Sequence, residues 1–380
     1  MNVLIAPDSF KDSLSALQVA LCLKKGMEKI LPDAEYVLVP MADGGEGTVE
    51  AMLTSVKGRI VKTSVHDPLM RRIDSFFGVT EEGNVAIIEM AAASGLELLR
   101  ENERDPWITT SFGTGELIKA ALNNHCTNII LGIGGSATND AGAGMAMALG
   151  AKLNDDRNRP VSLGAGELNR IKTIDITEMD YRLLSTKVLV ACDVTNPLTG
   201  SNGASKIYGP QKGADAAMVD KLDENLSLFA KRMKEQLGRD VEAMPGAGAA
   251  GGMGAGLMAF LGAKLLRGFD IVADITGLEQ KIVLADVIIT GEGKVDGQSQ
   301  FGKTTAGVAQ LAKKHKKPVI LVAGTIGNGA ELLYAHGIDA MFSIIDKPMT
   351  LDEALKTAPQ LLEKMGERLG RLTLRMWREE

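Results

Sequence analysis

The stretch "NVLIAPDSFKDSLSALQVAL", residues 2–21, decides the fold. Val3, Leu4, Ile5 and Ala6 form an apolar run the length of a buried strand, and Pro7 ends it because proline has no N–H to give a ladder. A few residues later the spacing changes. Leu14, Leu17 and Leu21 recur at the period of a helix face. A fully apolar strand running into an amphipathic helix is the start of an α/β unit, whose strands are covered on both sides. Working outward, the same alternation predicts a helix over 13–30, a strand over 35–39, a helix over 48–55 and strands near 59–65, 73–79 and 85–90. A capped helix in 109–124 and strands at 128–131 and 187–192 follow. After a long amphipathic helix at 215–237 and a small-residue run at 246–263, the alternation returns. It places strands at 285–290, 318–323 and 339–345 and helices at 303–314, 329–336 and 352–372.

Two α/β regions thus flank a different middle, so one domain built from both chain ends, with a second inserted, is expected. The boundaries fall at 1–66 plus 285–380 for the first and 67–284 for the second, with the Asp67-Pro68 turn signal marking one crossing. No tandem repeat is present.

Composition limits the function. A chain of 380 residues with a net charge of −6 lacks the basic face that a phosphate backbone requires, so nucleic acid is not an expected partner. No apolar run reaches membrane length, and the N-terminus enters a strand without a signal-peptide layout, so a soluble cytoplasmic protein is expected. The three cysteines form no CxxC and the four histidines no HExxH, which leaves out a disulfide framework and these zinc patterns. Glycine, at 43 residues, is the outlier. It clusters beside charged and hydroxyl residues, where it lets backbone N–H groups approach a ligand.

Five such clusters follow apolar strands. At the first corner Asp8, Ser9, Lys11 and Ser13 crowd a helix start, where free N–H donors and the dipole favour an anion. A cap with solvated charges would also account for it. In "MADGGEGTVEAM", residues 41–52, Asp43 and Glu46 bracket two glycines and can hold a hard cation or hydroxyls, or can simply favour the helix dipole. In "GIGGSATNDAGAG", residues 132–144, Gly132, Gly134 and Ala137 match G-x-G-x-x-A, with Asp155 and Asp156 about 20 residues on, as a dinucleotide fold would need. Its Ser136, Thr138, Asn139 and Asp140 are too polar for a plain pyrophosphate turn and fit a phosphate cradle with Asn139 or Asp140 near magnesium. In "ACDVTNPLTG", residues 191–200, Asp193 ends a strand with Asn196 three residues on, a base, a metal ligand or a turn former. In the fifth, Gly297 to Thr304 matches G-x-x-x-x-G-K-[ST], but begins seven residues after strand 285–290 ends, which argues against a P-loop. There Glu292 and Asp296 are candidates for a metal, and Lys294 and Lys303 for anions. Converging in one cleft, these loops would suit phosphoryl transfer, which is mostly positioning and charge stabilisation.

Six ordered blocks, "APDSFKDSLSA" (6–16), "ADGGEGT" (42–48), "GIGGSATNDAGAGMA" (132–146), "DVTNPLTGSNGAS" (193–205), "AAGGMGAG" (249–256) and "GEGKVDGQSQFGKTTAGVA" (291–309), resemble the bacterial type I glycerate kinase family across the whole chain. The resemblance implies an α/β protein of two domains, the one from both chain ends being Rossmann- or flavodoxin-like. It implies phosphorylation of D-glycerate by ATP and Mg2+ to 2-phosphoglycerate, in glyoxylate and sugar-acid catabolism. It leaves a homo-oligomer open.

With that substrate the residues take expected roles. Lys11 and Ser9 hold the carboxylate, with Asp43, Glu46, Asn196 and Lys294 completing the substrate site. Asp193 accepts or orients the C2 hydroxyl proton, with Asp8 and Lys11 as further catalytic candidates. Gly134, Gly135, Ser136, Asn139, Gly302 and Lys303 wrap the ATP phosphates, and Glu292, Asp296 and Asp193 hold Mg2+ or its waters. The competing readings are an NAD-dependent dehydrogenase of a small hydroxy acid, resting on residues 132–137, and a kinase giving 3-phosphoglycerate.

Overall fold

The computed structural model describes residues 1–42, 44–45, 47–300 and 304–377. In chain order its strands are β1 (Asn2–Ile5), β2 (Glu35–Leu38), β3 (Gly58–His66), β4 (Arg72–Thr80), β5 (Val85–Glu89), β6 (Asn128–Gly132), β7 (Lys152–Asn154), β8 (Thr173–Asp175), β9 (Lys187–Ala191), β10 (Lys264–Leu266), β11 (Val287–Val295), β12 (Val319–Ile326) and β13 (Ala340–Ser343). The chain divides into two compact units, one of Met1–Asp43, Glu50–Lys57 and Phe269–Glu380, the other of Gly44–Val49 and Gly58–Gly268.

The first unit carries an all-parallel sheet ordered β13-β12-β11-β1-β2. Counted along the unit this is the flavodoxin-like order 2-1-3-4-5. Its central strands are buried on both faces, as their apolar sequences require, and Val3, Ile5, Ile289 and Val322 share one core with helix residues Leu23, Met27 and Leu362. Helix Ala16–Glu28 starts where Ser15 accepts from Gln18 N and Gln18 reaches back to Ser15 N, a reciprocal cap. That helix packs on Leu351–Trp377 at close range. A Cβ on Gly26 would lie 1.9 Å from Glu363 O, and one on Gly366 2.2 Å from Leu23 O. Glu363 also pairs with Lys25 and Lys29.

The second unit carries a mixed sheet ordered β10-β9-β6-β5-β4-β3, with β5, β6, β9 and β10 parallel and β3-β4-β5 antiparallel. The sequence reading took Asp67-Pro68 as a domain crossing. It is the turn of the β3–β4 hairpin, whose register runs from Gly58↔Thr80 to His66↔Arg72. Buried Asp67 closes that turn by accepting from Leu69 N and Arg71 N, each at 2.8 Å.

Two further differences have simple reasons. The strands β7, β8 and β10 have three residues each, too few to show a period. The strand expected at 285–290 runs on to Val295, because Lys294 and Val295 still pair with Thr325 and Ile326. The sequence "GEGKV" looks like a loop but is an extension of the sheet. Two residues, not seven, therefore separate the strand's end from Gly297, which removes the spacing objection to a P-loop; Gly302 and Lys303 of that pattern lie outside the described residues.

Candidate active site

In a doubly wound sheet, ligands bind beyond the carboxyl ends of the strands where the winding reverses. In the first unit that point lies between β1, whose chain continues to β2, and β11, whose chain continues to β12. The first corner sits there. Asp8 N donates to Gly291 O at 2.8 Å, and a Cβ on Gly293 would lie 3.3 Å from Lys11 N. The fold thus brings Asp8, Ser9 and Lys11 beside Glu292. Ser9 N donates to Asp8 Oδ1 at 2.7 Å, and Lys11 is exposed. Ser13 is not at the helix cap; its hydroxyl donates to Leu355 O.

Glu292 accepts from Thr305 Oγ1 at 2.7 Å, at the start of helix Thr304–Lys314. Lys294 and Asp296 pair at 3.1 Å, and Asp296 Oδ1 accepts from Gln298 N. Four residues of extended chain place Glu292 and Asp296 roughly 13 Å apart.

In the second unit the ends of β5, β6 and β9 carry the polar loops. Gly134 and Gly135 are exposed there, Gly135 with φ +71°, while Ser136 is buried. The Gly44-Gly45 turn lies against this edge. A Cβ on Gly134 would come 3.0 Å from Gly45 Cα, and one on Gly132 2.3 Å from Gly44 O. Asp43 and Glu46, expected in the substrate site, lie outside the described residues. Gly44 itself has φ +94°, and a Cβ there would meet Ala191 Cβ at 2.4 Å, whereas one on Gly47 (φ +83°) would meet nothing within 4 Å. Gly44→Ala is therefore expected to cost about 3 kcal/mol, and Gly47→Ala only the left-handed backbone cost of about 1–2 kcal/mol. Urea unfolding of the two variants checks the difference.

Asp140 accepts from five donors: Thr110 Oγ1, Ser111 N, Ser111 Oγ, Gly142 N and Gly144 N, at 2.9–3.3 Å. It is 1% exposed. Expected near magnesium, it is instead committed to holding its own loop to the start of helix Phe112–Asn123. Asn139 is also fully buried, and its Nδ2 donates to Ser205 Oγ at 2.9 Å, so its side chain joins the loop to helix Ala204–Tyr208 rather than facing outward. The small-residue run serves the same loop. Ala250, Gly251 and Gly252 have positive φ, and Gly251 O accepts from Ala141 N.

Asp193 follows β9, and its Oδ1 accepts from Gly268 N at 2.9 Å. Asn196 accepts from Tyr208 OH and donates to Asn202 O, each at 2.8 Å, which fixes its loop.

Sequence reasoning missed Lys212 and Glu89. Glu89 ends β5, is buried, and accepts from Val49 N at 2.7 Å. Lys212 is 1% exposed, and its ammonium donates to Ser136 Oγ at 2.8 Å and to Thr138 O at 2.6 Å. In "YGPQKGAD" it reads as an ordinary turn residue, and nothing in the sequence marks it as buried. Burial pushes its ammonium down to about 7, with the Asp140 carboxylate pulling the other way. The unfolded chain, with an ordinary value of 10.5, then binds the extra proton between those limits. The wild type is expected to gain stability relative to Lys212→Met as pH rises from about 7 to 10, on the order of several kcal/mol in total. A wild-type–variant difference that stays flat across that range in urea titrations would contradict the shift.

The sequence profile of the glycerate kinase family matches residues 3–374. The chain belongs to the glycerate kinase family. It is 54% identical over 358 residues to the glycerate 2-kinase of Escherichia coli K12, covering 94% of each chain. It is 47% identical to a glycerate kinase of Halalkalibacterium halodurans, covering 97% of each. A crystal structure from Salmonella typhimurium LT2, of a protein provisionally named glycerate kinase 2, superposes with a TM-score of 0.91 at 49% identity over the full length of both chains. The chain is therefore a kinase, a phosphotransferase with an alcohol acceptor.

The dehydrogenase reading falls with this result, and the structure gives the reason. Asp155 does not end the next strand of the sheet. It lies at the β7–β8 ladder, outside the six-stranded sheet, where Arg159 binds it through Nε and Nη2 and holds its carboxyl well below the usual range. Among the described residues no helix is long and apolar enough to cross a membrane.

Proposed function

We propose that the protein transfers the γ-phosphoryl group of ATP to the C2 hydroxyl of D-glycerate, giving 2-phosphoglycerate and ADP, in the cytoplasm. The observation that carries this reading is the 54% identity, over nearly the whole chain, to a protein named glycerate 2-kinase. The exposed Gly134-Gly135 backbone supports it as a place for phosphate oxygens, and Lys11 with Ser9 supports it as a place for the glycerate carboxylate.

In the reaction the C2 oxygen bonds to the γ-phosphorus as the bond to the β–γ bridging oxygen breaks. The hydroxyl proton passes to the Asp193 carboxylate and then to solvent. Because the transition state is loose, Asp193 serves more to aim the hydroxyl than to ionise it. Mg2+, when bound with Glu292 as one ligand, would supply positive charge against the phosphate oxygens. Mg2+ commonly takes one or two carboxylates with substrate phosphates and water, and the Glu292 carboxylate lies at the winding reversal of the first sheet. Glu292, held by Thr305, is the proposed ligand. Asp296, bound by Lys294 and Gln298 N, is left with an orienting role for its loop.

The test is to follow ADP release from ATP, Mg2+ and D-glycerate with enolase present. Immediate formation of phosphoenolpyruvate is expected. A requirement for added phosphoglycerate mutase would mean that the product is 3-phosphoglycerate, and the absence of glycerate-dependent ADP would overturn the substrate.

A further inference from the structure

Lys212 lies behind the β6 loop, not in it. Its Nζ donates to the Ser136 hydroxyl oxygen and to the Thr138 carbonyl, the two anchor points flanking Ala137. The ammonium is sealed from solvent, so it does not reach a ligand itself. A buried ammonium is costly to keep unless its charge is used or balanced, and the Asp140 carboxylate balances it through space. Of its two partners, the Ser136 hydroxyl is the one with a proton of its own to pass on. With its oxygen accepting from Lys212, the hydroxyl's own proton is free to be donated, and Lys212 is its side-chain hydrogen-bond partner among the described residues. Ser136 directly follows Gly134 and Gly135, the exposed pair at the carboxyl end of β6.

We propose that Lys212 is a positioning residue that, in its ammonium form, leaves the Ser136 hydroxyl proton to be donated to an anionic substrate oxygen at the β6 loop. This rests on the reading that the loop receives such an oxygen, whether an ATP phosphate or the glycerate carboxylate. A hydroxyl that accepts from an ammonium donates more strongly, because each bond in such a chain polarises the next. Burial of Lys212 away from water strengthens the effect, and its second bond, to Thr138 O, fixes the ammonium against the loop.

The experiment is steady-state kinetics on Lys212→Met, Ser136→Ala and the double variant of the full chain, with ATP and D-glycerate varied in turn. Each single variant is expected to raise the KM of one substrate about tenfold, with kcat changed less than about threefold, as loss of one charge-assisted bond to a bound oxygen predicts. The substrate whose KM rises identifies the source of the anion. The double variant is expected to be no worse than either single one, because Lys212 acts through Ser136. A merely structural lysine would give additive losses, or a stability change with both KM values intact, and either result overturns the inference. Ser136→Ala without effect on either KM overturns the loop reading beneath it, whatever Lys212→Met does. Should methionine prevent folding, Lys212→Gln carries the same test, since its amide keeps a neutral donor. A KM between those of wild type and Ser136→Ala supports the relay, and one equal to wild type refutes the need for the charge.

Discussion

Replacing Asp140 by alanine is expected to cost about 4 kcal/mol of folding stability, among the largest single effects in the chain. The carboxylate is buried and accepts from three backbone N–H groups and two hydroxyls. Alanine leaves all of these donors short of an acceptor, each at a desolvation cost of about 1–3 kcal/mol less whatever water can enter. It also removes the charge that offsets the Lys212 ammonium. Two helix starts, at Phe112 and Ala143, lose the anion that their N–H groups face. Asp140→Asn should fall between, because its remaining oxygen accepts from part of the set while its amide opposes the rest. Adding Lys212→Met to Asp140→Ala should return 1 kcal/mol or more, since the ammonium left unpaired is gone. Urea unfolding of the four proteins measures this. A loss below about 1 kcal/mol for Asp140→Ala would show that the loop has another anchor.

The same residue shows how far sequence reading reaches. The strands were legible because Val3–Ile5 or Ile288–Ile289 are apolar on both faces, and only a strand with cover on both sides reads that way. The corners were legible as corners because glycine beside Ser and Asp marks a turn where an apolar strand ends. What each polar side chain does in its corner was not. Asp140 and Glu292 are both acids beside glycines, yet one is turned inward onto five donors while the other sits at the winding reversal of a parallel sheet. That difference depends on contacts with Thr110, Ser111 and Thr305, partners 13 to 30 residues distant that no local pattern identifies. Lys212 was invisible for the same reason, since its partners Ser136 and Thr138 are more than 70 residues away. The extension of β11 was hidden by its composition: "GEGKV" has glycine and charge where a strand normally has β-branched residues. Pairing with β12 overrides that preference.

Asp193→Asn is expected to lower kcat by about 10²–10³ while leaving the fold and the KM for glycerate nearly unchanged. The substitution keeps the side chain's shape and keeps an oxygen for Gly268 N, which now holds Oδ1 at 2.9 Å, so the loop after β9 has no reason to move. What it removes is the ability to take a proton. With one carboxylate oxygen anchored by the backbone, the group is oriented before substrate arrives, and pre-orientation is the larger part of what a residue can contribute to a loose phosphoryl transfer. An amide in that place can still meet the hydroxyl, but in the orientation that donates rather than accepts it aims the wrong lone pair at the phosphorus. Asp193→Ala should lower kcat at least as far and, by freeing Gly268 N, should also lower stability by about 1 kcal/mol. That second cost separates the two functions of one carboxylate: Asn tests the chemistry alone, and Ala tests chemistry and anchoring together. If Asp193→Asn turns over within about fivefold of wild type, Asp193 is not the proton acceptor. The proton acceptor must then be sought at Asp8, the acid beside β1 that the sequence also offered.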